Sequence, residues 1–92
     1  MKSIVRTEKA GVFFGVVESR NGSEVKMTNV RKIWYWDGAA AVEQLATEGT
    51  KKPSSCKITV AVDKMEILGV IQVIPCTDVA IKCLDAVKPW SL

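Results

Sequence analysis

Apolar runs and alternating hydrophobic and polar residues along the chain predict five β-strands, of which the second is apolar on both faces. The predicted strands are Lys2–Thr7, Gly11–Ser19, Glu24–Trp36, the segment containing Ile58, Val60 and Val62, and Ile67–Ile74. Asn21-Gly22 supplies residues that tolerate positive φ in a tight hairpin turn, so the second and third strands are expected to pair antiparallel. Between the last two strands, Asp63-Lys64-Met65-Glu66 is predicted to form a turn.

Two segments have a helical period instead. Apolar residues fall on one face over Gly38–Glu48, with Gly49 able to end that helix. Thr77 can cap a second helix, which Pro89 stops. The order β-β-β-α-β-β-α predicts a single α+β domain over residues 1–92, with a curved, mostly antiparallel five-stranded sheet and two short helices.

The size and charge of the chain constrain its partners. It has 92 residues, of which 48% are hydrophobic. A domain of this size buries a modest fraction of its surface and is often helped by self-association, so we expect a homo-oligomer. The net charge of +3 permits an anionic ligand without requiring one. The basic residues form only short pairs, which argues against a dedicated nucleic-acid binder.

The residue types that are missing limit the chemistry. The chain has no histidine, and its three cysteines form no C-x-x-C motif. Ser-His-Asp, Cys-His and HExxH arrangements are therefore excluded. We predict reduced structural thiols, no catalytic residue, no metal site, no cofactor and no enzyme activity. Met1–Arg6 lacks the apolar core of a signal peptide and no run could span a membrane, so we expect a soluble intracellular protein with no membrane partner.

A short segment concentrates aromatic and basic side chains. In a regular strand, Trp34 and Trp36 share a face with Lys32, and Arg31 lies on the opposite face. Two rings beside a lysine could sandwich a nucleobase and place the cation near a phosphate. The same tryptophans could equally form core or subunit-interface contacts. Trp90, near the C-terminus, is expected to dock on the domain or on a neighbouring subunit.

Small residues follow the aromatic segment at the predicted start of the first helix. Gly38 and Ala39 would leave backbone N–H groups and the positive end of the helix open to an anion. Asp37 could satisfy the same donors as an ordinary N-cap. Both alternatives remain open from the sequence.

The segment Val30–Ala40, VRKIWYWDGAA, resembles a motif, R-[RK]-I-W-Y-W-x-G-A, of a family of small uncharacterised proteins from tailed bacteriophages. Two further segments, AGVFFG near the start of the chain and VIQVIPCT near its end, also resemble sequences of that family. The resemblance supplies no catalytic residues. It implies a viral protein in the host cell cytoplasm, and small phage proteins without catalytic groups often inhibit host defence by masking a protein or sequestering a nucleotide signal.

The leading hypothesis is a phage anti-defence sponge that binds a nucleotide-derived immune signal, a cyclic oligonucleotide or an ADP-ribose derivative, without cleaving it. Its candidate ligand-binding residues are Arg31, Lys32, Trp34, Trp36, Gly38 and Ala39. The alternative is a module that inhibits a host or phage protein through an aromatic patch. A third possibility is single-stranded nucleic-acid binding.

Overall fold

A computed structural model of residues 1–92 shows a compact α+β domain with six antiparallel strands and two helices. The strands are β1 Ser3–Thr7, β2 Val12–Asn21, β3 Glu24–Tyr35, β4 Lys57–Ile58, β5 Val62–Ile67 and β6 Val70–Pro75. The helices are α1 Val42–Glu48 and α2 Asp78–Asp85, and Pro53–Ser55 forms a 3₁₀ turn. The predicted α+β class is confirmed, with one more strand than predicted. Neither helix is long and apolar enough to cross a membrane.

The hairpin between β2 and β3 is confirmed. The two strands pair antiparallel, and the innermost partners are Asn21 and Glu24. Gly22 lies between them with φ of 62°, a left-handed conformation that glycine adopts without steric cost. Local turn chemistry therefore fixes the pairing of the two longest strands.

The predicted turn at Asp63–Glu66 is wrong. These residues belong to β5, which pairs antiparallel with β3. The predicted fourth strand is divided into β4 and β5, and the connection between β5 and β6 is Leu68-Gly69. The strand patterns on either side made the segment resemble a turn, but its charged side chains are exposed, and charged side chains are also common on strands at the edge of a sheet.

The sheet has two core clusters, one on each face. The strand order is β4-β3-β2-β1-β6, with β5 also paired to β3, and the sheet does not close on itself. Ile4 and Phe14 contribute to a cluster that includes residues of both helices. Val5 and Phe13, their neighbours in sequence, belong to the second cluster. Alternate residues of the central strands thus fill opposite cores, which explains why both faces are apolar.

Helix α1 begins at Val42, four residues later than predicted, and its N-cap is Ala41 rather than Asp37. Gly38 has φ of 84°, which is incompatible with a helix, so the chain turns there first. The predicted end is confirmed, because the Gly49 N–H donates to the Leu45 oxygen. The Thr77 hydroxyl caps α2, as predicted, by accepting a hydrogen bond from the backbone N–H of Ala80.

Candidate functional site

The end of β3 contains a β-bulge that changes which side chains share a face. Ile33 pairs with Ile58 and Tyr35 with Lys57, so Trp34 is an additional residue on β3. The alternation of a regular strand is interrupted, and Trp36 packs against the same core cluster as Ile33. The prediction that the two tryptophans share a face is therefore wrong.

Trp34 instead stacks on the C-terminal tryptophan. The ring centroids of Trp34 and Trp90 are 5.1 Å apart, and the ring planes are inclined by 22°. The Lys57 Nζ lies over both rings, 5.2 Å from the Trp34 centroid and 5.5 Å from that of Trp90. Trp34 remains 56% exposed and Tyr35 48% exposed. We refer to Trp34, Tyr35, Lys57 and Trp90 as the aromatic patch.

Backbone contacts with β4 hold Trp90 in this position. Pro89 forms a β-bridge with Ile58, and the Trp90 N–H donates a 2.8 Å hydrogen bond to the Ile58 oxygen. This agrees with the expectation that Trp90 docks on the domain. The Trp34 ring is thus supported from one side by a side chain that is itself anchored.

Arg31 lies in the interior and not on the patch. Its side chain is only 6% exposed. The guanidinium donates to the backbone oxygens of Thr59 at 2.8 Å, Leu84 at 3.0 Å and Val87 at 2.8 Å, with a longer bond of 3.3 Å to Ile58. Burial lowers the Arg31 pKa, and the charge of Asp85 partly offsets this effect. Arg31 therefore links β3 to β4 and to the end of α2.

Lys32 is separated from the tryptophans. Its Nζ lies 6.0 Å from the centroid of the Phe13 ring, on the neighbouring strand. Its aliphatic chain also covers Gly11, whose Cα lacks a side chain at that point. The sequence-predicted trio of Lys32, Trp34 and Trp36 is therefore not assembled, and Lys57 is the lysine that accompanies Trp34.

Trp36 lines a separate shallow depression of about 270 Å³. The indole N–H donates to the Ala39 oxygen at 3.2 Å, which fixes the ring. Arg6 and Glu43 line the same depression, and Val12 contributes an apolar wall. The two tryptophans of the motif thus belong to two different surfaces.

Gly38 and Ala39 lie in the loop before α1 and not at its first turn. The Gly38 N–H donates to the carboxylate of Asp37 at 2.8 Å. A Cβ on Gly38 would lie 2.5 Å from the backbone nitrogen of Lys52, so the backbone at Gly38 packs closely against the loop that follows α1. Ala39 packs against the core. These residues shape the loop that carries Trp36.

The three cysteines are free thiols, and two of them are buried. Burial raises the pKa of Cys76 to about 11. No group of three or more His, Cys, Asp or Glu side chains is arranged to hold a metal ion. Cys56 and Cys76 therefore lie in the interior of the domain, and Cys83 is partly exposed.

Sequence reasoning did not identify Lys57 as a candidate binding residue, and it did not connect Trp90 with Trp34. Lys57 follows a polar loop with no distinguishing motif. Trp90 had a visible signal, because a tryptophan close to a chain terminus needs a surface on which to dock. Its partner could not be named, since the two residues lie 56 positions apart in the sequence and meet only through β4.

The geometry defines a small α+β domain with an exposed tryptophan stack at one sheet edge. The chain belongs to the family described as a domain of unknown function, DUF6948, whose model matches residues 1–84. Trp34 and Lys57 lie within the matched region, and Trp90 lies beyond it. No curated protein and no solved structure matches the chain.

Proposed function

We propose that this protein is a phage anti-defence protein that sequesters a nucleotide-derived immune signal in the host cell cytoplasm without cleaving it. The signal would be a cyclic oligonucleotide or an ADP-ribose derivative. The aromatic patch is the recognition surface. The observation that carries this proposal is the half-exposed Trp34 ring, stacked on Trp90, with the Lys57 ammonium beside the stack, 5.2 Å and 5.5 Å from the two ring centroids.

The patch suits the two chemical parts of a nucleotide. A purine or pyrimidine stacked on Trp34 would contribute about 1–3 kcal/mol. The Lys57 Nζ lies about one ring width from the stack, where it could pair with a phosphate attached to the stacked base. A nucleotide joins a flat ring and an anion at a short distance, and the patch offers a partner for each.

The affinity required for sequestration favours an oligomer. Nanomolar binding corresponds to about −12 kcal/mol. One stacked base and one charge-assisted hydrogen bond, at about 1.5–3 kcal/mol for the latter, supply only part of that. We therefore include in the proposal a homo-oligomer in which a second copy contributes further contacts to the same ligand.

The side chains of the patch favour binding over turnover. Lys57 and Tyr35 are its ionisable residues, and it contains no carboxylate, thiol or imidazole to act as a general base near neutral pH. Hydrolysis of a phosphodiester or glycosidic bond would need such a group or a metal ion. An amine fixed over an indole stack is better suited to hold a phosphate.

Calorimetric titration against cyclic dinucleotides, cyclic trinucleotides and ADP-ribose isomers tests the proposal. We expect submicromolar binding of at least one compound and a loss of about fivefold to 150-fold in Trp34→Ala, which removes the stacking surface. Val79→Ala, which removes another exposed apolar side chain, on α2, is the matched control. Binding no tighter than micromolar across the whole panel would refute the proposal.

A protein partner is the second candidate, and the adjacent exposure of Trp34 and Tyr35 favours it. Tryptophan and tyrosine are enriched among the residues that dominate binding energy in protein interfaces. Here the panel would give no binding, and Trp34→Ala would abolish a stoichiometric protein complex while leaving the fold intact. Single-stranded nucleic acid, the third candidate, requires affinity for oligonucleotides that falls as salt concentration rises.

A further inference from the structure

The depression lined by Trp36 has a polar rim of defined order. Arg6 donates to the side-chain oxygen of Gln72 at 3.4 Å, and the Gln72 amide nitrogen donates to Glu43 at 3.2 Å. Arg6 and Glu43 both line the depression. Gln72 is not one of its lining residues, but its amide bridges the two at the margin of the depression. The rim thus has a hydrogen-bond donor, the Arg6 guanidinium, and a hydrogen-bond acceptor, the Glu43 carboxylate, separated by the width of one amide.

The carboxylate is held in its charged form. A backbone hydrogen bond at Glu43, together with the bond from Gln72 and the charge of Arg6, lowers the Glu43 pKa, and burial opposes this only in part. An ionised carboxylate accepts hydrogen bonds and donates none. Arg6 uses one of its five N–H donors in this network, so most of its hydrogen-bonding capacity remains available.

A purine base can reproduce this amide. The O6 and N1–H edge of guanine is a cyclic amide, with an acceptor directly beside a donor, as in the side chain of Gln72. Guanine also has a second acceptor, N7, beside O6, which suits the fork of an arginine. Its exocyclic N2 amino group lies beside N1–H, so guanine offers two adjacent donors to the two oxygens of a carboxylate. Adenine has no donor equivalent to that amino group.

The geometry points to a guanine-selective subsite in the Trp36 depression: the base stacks on Trp36, and its edge replaces the Gln72 amide between Arg6 and Glu43. A depression of about 270 Å³ has room for a single base and is smaller than the pockets that enclose drug-sized ligands. The Trp36 ring is already fixed by its bond to Ala39, so it forms a rigid stacking surface. This inference does not rest on the aromatic patch.

Titration with the 5′-monophosphates GMP, IMP and AMP tests this subsite. We expect GMP to bind at least about fivefold more tightly than AMP, as for a good bidentate contact to a base. IMP, which lacks the N2 amino group, should bind less tightly than GMP. Glu43→Gln should lower the ratio of GMP to AMP affinity, because an amide oxygen cannot accept from both donors, although the Arg6 contact to O6 and N7 still favours GMP. Glu48→Gln, an exposed acid on the same helix, is the control and should leave the ratio unchanged.

Gln72→Ala separates a binding subsite from a merely structural network. If the amide occupies the place of the base, its removal should leave GMP binding unchanged or strengthen it. Loss of GMP binding in this variant would overturn the inference. Equal binding of GMP and AMP, or no binding at millimolar concentration, would also overturn it. So would a ratio of GMP to AMP affinity that is unchanged in Glu43→Gln. Each of these outcomes leaves the titration of Trp34→Ala, and with it the proposed function, unaffected.

Discussion

Replacing Arg31 by methionine should destabilise the fold severely while leaving the aromatic patch chemically intact. Methionine has a similar length and keeps much of the apolar contact, but it donates no hydrogen bond. The backbone oxygens of Leu84 and Val87 would lose donors at 3.0 and 2.8 Å in the protein interior, and the partly buried oxygen of Thr59 would lose one at 2.8 Å. The substitution therefore removes the link between β3, β4 and the end of α2.

The magnitude follows from those bonds. Three charge-assisted hydrogen bonds at about 1.5 kcal/mol each give about 4.5 kcal/mol, and partial rehydration of the carbonyls reduces this, so we expect a loss of about 3–4.5 kcal/mol. A domain of this size loses about 4–8 °C of Tm per kcal/mol, so Tm should fall by at least about 12 °C. Small domains are stable by about 5–15 kcal/mol, so the variant would be marginal.

Urea denaturation followed by circular dichroism measures this loss directly. Arg20→Met, which removes an exposed arginine from β2, is the matched control and should change stability by less than about 0.5 kcal/mol. If Arg31→Met is as stable as the control, the carbonyl cluster does not hold the C-terminal part of the chain to the sheet. A ligand-binding role for Arg31 would then be reopened.

Two further perturbations test the loop before α1 and the buried thiol. Gly38→Ala should lower the free energy of unfolding by about 2 kcal/mol or more, because the added Cβ would meet the Lys52 backbone. Gly22→Ala, where φ is also positive but the space is open, should lower it by about 1 kcal/mol. Equal losses of Tm in the two variants would contradict this. Cys76 should resist alkylation at pH 8.5 in the folded protein and react after unfolding, and mass mapping that finds it labelled first would be inconsistent with its burial. Since its folded pKa of about 11 exceeds the ordinary value of 9.0, its contribution to stability should be complete below about pH 9 and lost as the pH rises towards 11.

The sequence predicted those elements whose signals are local. The β2–β3 hairpin follows from Asn21-Gly22, and the start of α2 follows from Thr77, because each signal acts within a few residues. The positions of Trp34 and Trp36 could not be predicted from alternation. They depend on a bulge that exists only because β4, more than twenty residues later, pairs with the end of β3.

Arg31 shows the same limit for a binding prediction. A basic residue in an aromatic motif is consistent with phosphate recognition, yet its guanidinium contacts carbonyls contributed by β4 and by the end of α2. Those carbonyls carry no sequence signature, because every residue has one. Lys57 is the opposite case: nothing in the sequence marks it as a candidate, and only the three-dimensional structure places it near Trp34.

The central claim is that the aromatic patch holds a nucleotide-derived signal and releases it unchanged. The most direct measurement is to incubate the protein with the tightest ligand of the panel, isolate the complex by gel filtration, denature it by heat and identify the released compound by mass spectrometry. We predict recovery of the intact ligand from the wild-type protein and its absence from Trp34→Ala of the same oligomeric state. A loss of about fivefold would already lower the amount recovered from Trp34→Ala, so recovery of a cleaved product, or equal recovery from both proteins, would contradict the account.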